Sequence, residues 1–111
     1  MSEIFKEEIL QRITQKLLDI QMLRLIRNQP MWGYKIKKEM KELFNLKLRH
    51  GALYPTLNTL EKQGFLTSKK QQEGGRTRKI YKITRKGRLY LQAYYDILKE
   101  QIHDSDIKKN I

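Results

Sequence analysis

Leu48-Arg49-His50-Gly51-Ala52-Leu53-Tyr54-Pro55-Thr56-Leu57-Asn58-Thr59-Leu60-Glu61-Lys62-Gln63-Gly64-Phe65-Leu66 is the stretch that decides the fold. Leu53, Leu57 and Leu60 recur at four and three residues, the spacing of one apolar helix face, and predict a helix over 50–63. Gly64 stands where a helix ends on a left-handed residue. Pro55 fits only near a first turn, whose N–H groups lack partners anyway, so a late start or a distorted first turn is expected. The other side of this helix carries small or polar residues, His50, Gly51, Ala52, Thr56, Asn58 and Thr59.

Past Gly64 the period changes from helical to alternating. Phe65 to Lys70 and Arg78 to Ile83 are rich in β-branched and aromatic residues, and Glu73-Gly74-Gly75 lies between them. Residues 65–83 therefore read as a β-hairpin with arginines beside its turn. Upstream, Ile36, Met40, Leu43 and Phe44 predict a helix over 33–44 closed by Asn45, with lysines away from its apolar stripe. Residues 3–27 read as one further helix, so densely apolar from Leu10 to Ile26 that burial on more than one side is expected. Asn28-Gln29-Pro30 ends it, because a residue before proline avoids helical dihedrals.

Downstream, Thr84 is placed to cap a helix reaching about residue 103, with Gly87 where a capping-box glutamate would stand. Its stripe of Leu91, Tyr94, Tyr95, Leu98 and Ile102 has little later sequence to cover it, which marks an interface. A second copy of the chain is the expected cover, with Leu17 and Leu18 of the first helix joining that interface. Asp104 to Ile111 read as a frayed end. The expected architecture is mainly α with a small β-hairpin: a single domain over 1–111, a winged helix-turn-helix followed by a C-terminal dimerisation helix.

Charge says what such a domain meets. Of 111 residues, 24 are Lys or Arg and 12 Asp or Glu, a formal +12, and +9 of it falls within residues 31–83. A basic centre between nearly balanced ends is the electrostatic footprint of a nucleic-acid binder. In a winged helix-turn-helix the second helix of the pair enters the major groove and the hairpin reaches the flank. Arg49, His50, Gly51, Ala52, Thr56, Asn58 and Thr59 are thus candidates for the groove, and Lys69, Lys70, Arg76, Arg78 and Lys79 for the wing. Lys35 and Lys38 are the phosphate candidates of the preceding helix, and Trp32 reads as packing. Double-stranded DNA is the expected partner. No platform of spaced aromatics suggests single-stranded RNA.

Other classes are excluded or weakened. Absence of cysteine removes disulfides, thiolate chemistry and cysteine-bound zinc. His50 and His103 are too far apart in sequence to read as a metal pair, and no cofactor is expected. No phosphate loop or serine motif points to an enzyme. No apolar run approaches the roughly 20 residues of a membrane helix. The acidic start at Glu3 lacks a signal peptide's basic lead, so a cytoplasmic location is expected.

Gly33-Tyr34-Lys35-Ile36, Leu48 to Leu57, Leu60 to Leu66, Gly74 to Thr84 and Gly87-Arg88 together resemble the PadR family of regulators, over residues 17 to about 102. The resemblance implies a repressor that dimerises through its first and last helices, with Tyr54 on the DNA backbone and the basic wing in the flanking groove. It also implies a small flat aromatic effector as a candidate ligand between subunits, with Tyr90, Tyr94 and Tyr95 available to line its site. Arg49-His50 and Ala52 depart from the Ser or Thr common beside the motif's glycine, so the helix cap and the contacts there do not carry over. The rival reading is an architectural protein that coats DNA without sequence preference.

Overall fold

The computed structural model describes residues 1–103, apart from the side chain of His50. The expected frayed end, Asp104 to Ile111, lies outside the described residues. The elements are α1 (Ser2–Lys16), α2 (Leu18–Ile26), β1 (Met31–Trp32), α3 (Gly33–Phe44), α4 (His50–Lys62), β2 (Leu66–Glu73), β3 (Arg76–Ile83) and α5 (Arg85–His103). The described residues form five helices and a small antiparallel sheet of order β1-β3-β2, the winged helix architecture expected from the sequence.

Two expectations are corrected at the N-terminus. The single helix over 3–27 is two, broken at Leu17, whose φ of −116° and ψ of 43° leave the helical region. Burial on several sides belongs to α2 alone, where Ile20, Met22, Leu23, Leu25 and Ile26 enter the core. In α1 the arrangement is inverted. Its polar side faces its own domain: Gln11 donates to the Phe44 and Asn45 carbonyls at 3.1 and 3.0 Å, and Asn45 donates to Glu7 at 3.0 Å. Its apolar residues Phe5, Ile9, Leu10 and Ile13 are exposed.

Helix ends follow local chemistry. Asn45 takes the left-handed conformation, and the Asn45 and Leu46 N–H groups both close on the Met40 carbonyl. At the end of α4, the Phe65 N–H reaches the Leu60 carbonyl at 2.9 Å and the Gly64 N–H reaches Glu61 at 3.0 Å. This pair satisfies carbonyls that the helix leaves open and turns the chain into β2. Helix α4 does not start late. Arg49 is its N-cap, its carbonyl accepts from both Ala52 and Leu53, and Pro55 lies within the helix. The missing Pro55 N–H leaves only the Gly51 carbonyl without its usual donor. Leu43, expected inside, is 58% exposed, while Phe44 carries that end of α3 into the core.

The hairpin has a two-residue turn. Glu73 pairs with Arg76, and Gly74 and Gly75 adopt φ of 55° and 80°. Positive φ at both central residues is the turn whose twist matches a hairpin, and glycine takes it without steric cost. The sequence reading missed β1. Met31 and Trp32 pair with Tyr81 and Ile80, so the wing is a three-stranded sheet at its base and two-stranded above.

A tight junction joins the hairpin to α5. The Thr84 side chain accepts the Gly87 N–H at 3.0 Å, the expected cap, and donates to the Gly64 carbonyl at 2.6 Å. A Cβ on Gly87 would lie 2.3 Å from the Phe65 carbonyl oxygen and 2.8 Å from Ile83 Cγ1. Gly51 has nothing within 4 Å of such an atom. Gly87→Ala is therefore expected to lower the unfolding free energy by about 2 kcal/mol or more through overpacking. Gly51→Ala should be neutral or stabilising by up to about 1 kcal/mol from helix propensity. Urea unfolding checks both, and equal midpoints for the two variants would contradict the junction.

Candidate nucleic-acid interface

Helix α4 is held from behind. Leu53, Leu57 and Leu60 are buried in the core with Ile36, Met40, Leu66, Tyr81 and Leu91. Gly51, Tyr54, Pro55, Asn58, Thr59 and Lys62 are exposed on its outer side. Pro55 joins this face unanticipated by the sequence reading. Two expected front residues do not belong to it. Ala52 is half-buried against the core. Thr56 is half-buried as well, and its hydroxyl donates to the Ala52 carbonyl at 2.7 Å. Arg49 is exposed at the helix start, where a cation can meet a phosphate. His50 opens the helix, and its side chain lies outside the described residues.

Tyr54, 41% exposed, leans across the start of α3, and a Cβ on Gly33 would come within 2.7 Å of its hydroxyl oxygen. This explains a glycine at position 33: the ring occupies the space that a side chain would take. Trp32, Tyr34, Tyr54, Asn58, Arg76 and Arg78 border a groove of about 430 Å3 between α4, the candidate recognition helix, and the wing. Beyond Tyr34 the basic surface continues. Lys37, Lys38, Lys41 and Lys47 rim a second depression of about 340 Å3. Lys38 is exposed and lines this depression, whereas Lys35, half-buried like Lys37, does not line it.

Strand pairing divides the wing cations between two faces. Lys70 lies opposite Lys79, on the side of Leu66, Tyr81 and Ile83 that meets the core. Lys69, Arg76 and Arg78 belong to the other side by alternation. Lys79 is not a freely swinging cation: its ammonium is 3.6 Å from Glu61, a residue of α4. Glu61 also accepts the Ser68 hydroxyl, so one carboxylate ties both strands of the wing to the recognition helix. Tyr81 packs beneath this clamp, and burial, then the Glu61 charge, then Tyr54 push its phenol above the ordinary value. Arg78 is 3.6 Å from Glu73, and its guanidinium lies over Trp32. Lys69, Lys70 and Arg76 are exposed.

The residues expected at a subunit interface also divide. Leu91 is 2% exposed and belongs to the core of its own domain, which corrects its assignment to an interface. Leu17, Leu18, Tyr94 and Tyr95 are half-buried against that core. Leu98 and Ile102 continue the stripe where α5 has no cover, with Ile102 79% exposed. Ile97 of α5 is exposed as well, and the outer side of α1 carries a separate set of exposed apolar residues. Tyr90 stacks on Phe65 with centroids 4.3 Å apart, and Arg27 lies over Tyr95.

The profile of the Transcriptional regulator PadR-like family matches residues 22–93, from α2 through the wing into α5. The chain belongs to the PadR-like family. Members of this family are transcription regulators, not enzymes. A PadR family transcription regulator from Clostridium difficile R20291 superposes with a TM-score of 0.65 at 26% identity, over 77% of this chain and 94% of that one. Bacillus subtilis PadR, solved in complex with operator DNA, gives a TM-score of 0.67 at 28% identity, over 71% of this chain and 47% of that protein. A shorter match, 46% identical over 41 residues, links the chain to Transcriptional regulator Rv3488 of Mycobacterium tuberculosis. It spans 37% of this chain and 38% of that relative. Among the described residues no helix is long and apolar enough to cross a membrane, and no His, Asp and Glu group is placed to hold a metal.

Gly33→Ala tests the seat of Tyr54. Because the obstructing atoms are the far end of a side chain, the fold should keep its stability to within about 1 kcal/mol. The Tyr54 ring should swing away and its aromatic NMR resonances should move; unmoved resonances would show that the ring does not rest on Gly33.

Proposed function

We propose that this PadR-like regulator binds double-stranded DNA sequence-specifically as a homodimer and represses transcription by occupying a promoter. One observation carries the reading: α4 shows an open polar face beside a basic wing, while its apolar face is locked in the core. The likeness to a regulator solved on operator DNA supports it. Arg49, Asn58 and Thr59 reach base edges or phosphates in the major groove, with His50 and Gly51 at the helix start. Tyr54 meets the backbone. Arg76, Lys69 and Lys70 hold the flank and Lys38 the phosphates beside α3. Thr56 supports the helix rather than the contact.

The dimer is supported by α1, which turns its polar side to its own domain and Phe5, Ile9 and Ile13 outward. Leu98 and Ile102 of α5 offer a second uncovered apolar surface. Two copies joined there place recognition helices in successive major grooves about 34–36 Å apart, on a palindromic operator. A flat aromatic effector belongs to the same proposal. Tyr94 and Tyr95, with centroids 5.7 Å apart, would line its site once a second subunit closes over them. It would act by favouring one angle between subunits over another. The protein would work in the cytoplasm.

Fluorescence anisotropy across a salt series, with the chain's own upstream region and a scrambled duplex, tests specificity. A preference of about a thousandfold is expected for a specific site. Equal affinity for the scrambled duplex, the upstream region and fragments selected from the whole genome would return the architectural reading. Light scattering tests the dimer: wild type should weigh twice the chain at tens of micromolar, and Ile9→Asp should halve that mass by placing a charge in the apolar contact. A monomeric wild type would remove the dimer.

A further inference from the structure

We propose that Arg78 is a positioning residue: stacked on Trp32, it sets the lean of the wing against the recognition helix and does not contact phosphate. The inference rests on the DNA-binding reading for its consequence, but its geometry stands without it. The Arg78 guanidinium carbon lies 3.7 Å from the Trp32 ring centroid, whereas the cations over Phe44, Tyr95, Tyr81 and Phe65 stand 5.2 to 5.8 Å away. At 3.7 Å a planar guanidinium lies in contact with the ring face. An ammonium cannot reproduce this arrangement. On its other side Arg78 meets Glu73 at 3.6 Å. One side chain of the middle strand thus links β1 to β2 above the point where β1 ends.

That point matters because the backbone pairing stops there. Trp32 pairs with Ile80, and beyond it β3 has no partner on this side up to the turn. Hydrogen bonds to β1 therefore cannot hold the upper wing, and the Arg78 stack supplies the missing link. Trp32 is itself the N-cap of α3, with extended backbone at φ −96° and ψ 162°. Its ring is 5.3 Å from Tyr34, and the next residue, Gly33, is the seat of Tyr54. Wing, α3 and α4 consequently meet at Trp32. Arg76, two residues nearer the turn, lies on the same face, is exposed, and is free of this role.

Trp32 is the sole tryptophan, so its emission reports the stack directly. The full chain is compared with Arg78→Lys, Arg78→Ala and Arg76→Ala, each first shown to melt like wild type. In the free proteins, both Arg78 variants should shift Trp32 emission and increase its quenching by acrylamide, and Arg76→Ala should do neither. On duplex DNA, Arg78→Lys and Arg78→Ala should weaken binding by the same factor, roughly three- to thirtyfold for a lost cation–ring stack. Their dependence on salt should stay that of wild type, while Arg76→Ala should flatten it by about one unit. Trp32→Ala combined with Arg78→Lys should lose no more than Trp32→Ala alone, since the tryptophan change already removes the stack. Wild-type affinity in Arg78→Lys, a salt slope flattened by Arg78→Ala, or quenching unchanged by Arg78→Lys would each overturn the proposal. Failure of the wild type to bind any duplex would instead refute the DNA reading, and the quenching comparison would then decide the stack by itself.

Discussion

The contact between Gly87 and the Phe65 carbonyl constrains everything built around it. Four segments converge there: the end of α4, the start of β2, the end of β3 and the start of α5. Thr84 binds the first and last through its hydroxyl, accepting from Gly87 and donating to Gly64. The Thr84 N–H adds a bond to the Phe65 carbonyl at 3.1 Å. With no side chain at 87, the two backbones approach closely enough for these bonds to form together. The directions of the recognition helix, the wing and α5 are thereby fixed relative to one another, and a bulkier residue would have to part all three.

Glu61 extends that constraint towards the DNA side. It is a negative group on the helix proposed to enter the groove, and its place there makes sense as an anchor. It receives the Ser68 hydroxyl and faces Lys79, so α4 and both wing strands move as one piece. A partly exposed ion pair of this kind adds little stability. Its effect is geometric, since the distance from the groove-facing side of α4 to the wing turn no longer varies freely. Formal charge therefore overstates how many wing cations are available. Lys79 and Arg78 neutralise neighbours, and Arg76, Lys69 and Lys70 remain outward.

Most of the fold was legible because it depends on short-range signals. The four-and-three leucine spacing placed α4, Thr84 placed the start of α5, and Asn45 and Gly64 placed two helix ends. What failed depended on longer-range geometry. Strand β1 is two residues long and exists only because Tyr81 and Ile80 pass beside it. Thr56 reads as a polar front residue until its hydroxyl is seen on the Ala52 carbonyl. Leu91 belongs to the same stripe as Ile102, yet one lies over the core and the other beyond it. Periodicity gives a side chain's direction around its helix and is silent about where along the helix the domain stops.

Helix α1 shows the same limit and turns it into an argument. A helix normally sets its apolar stripe on its own core. Here Glu7, Gln11 and the buried Thr14 face inward, with Gln11 satisfying carbonyls at the end of α3 that the helix could not. Such polar contacts fix the angle of α1 and leave Phe5, Ile9 and Ile13 in water. The chain is correspondingly extended, 62 Å long with a radius of gyration of 16.3 Å, against about 13 Å for a compact domain of similar size. An elongated molecule with uncovered apolar residues at both ends of its described chain holds its recognition helix rigidly and lacks only a cover for those ends. In the proposed dimer a second copy would provide that cover and supply the second recognition helix in the same step, so stability and the reading of a two-fold site would depend on one contact.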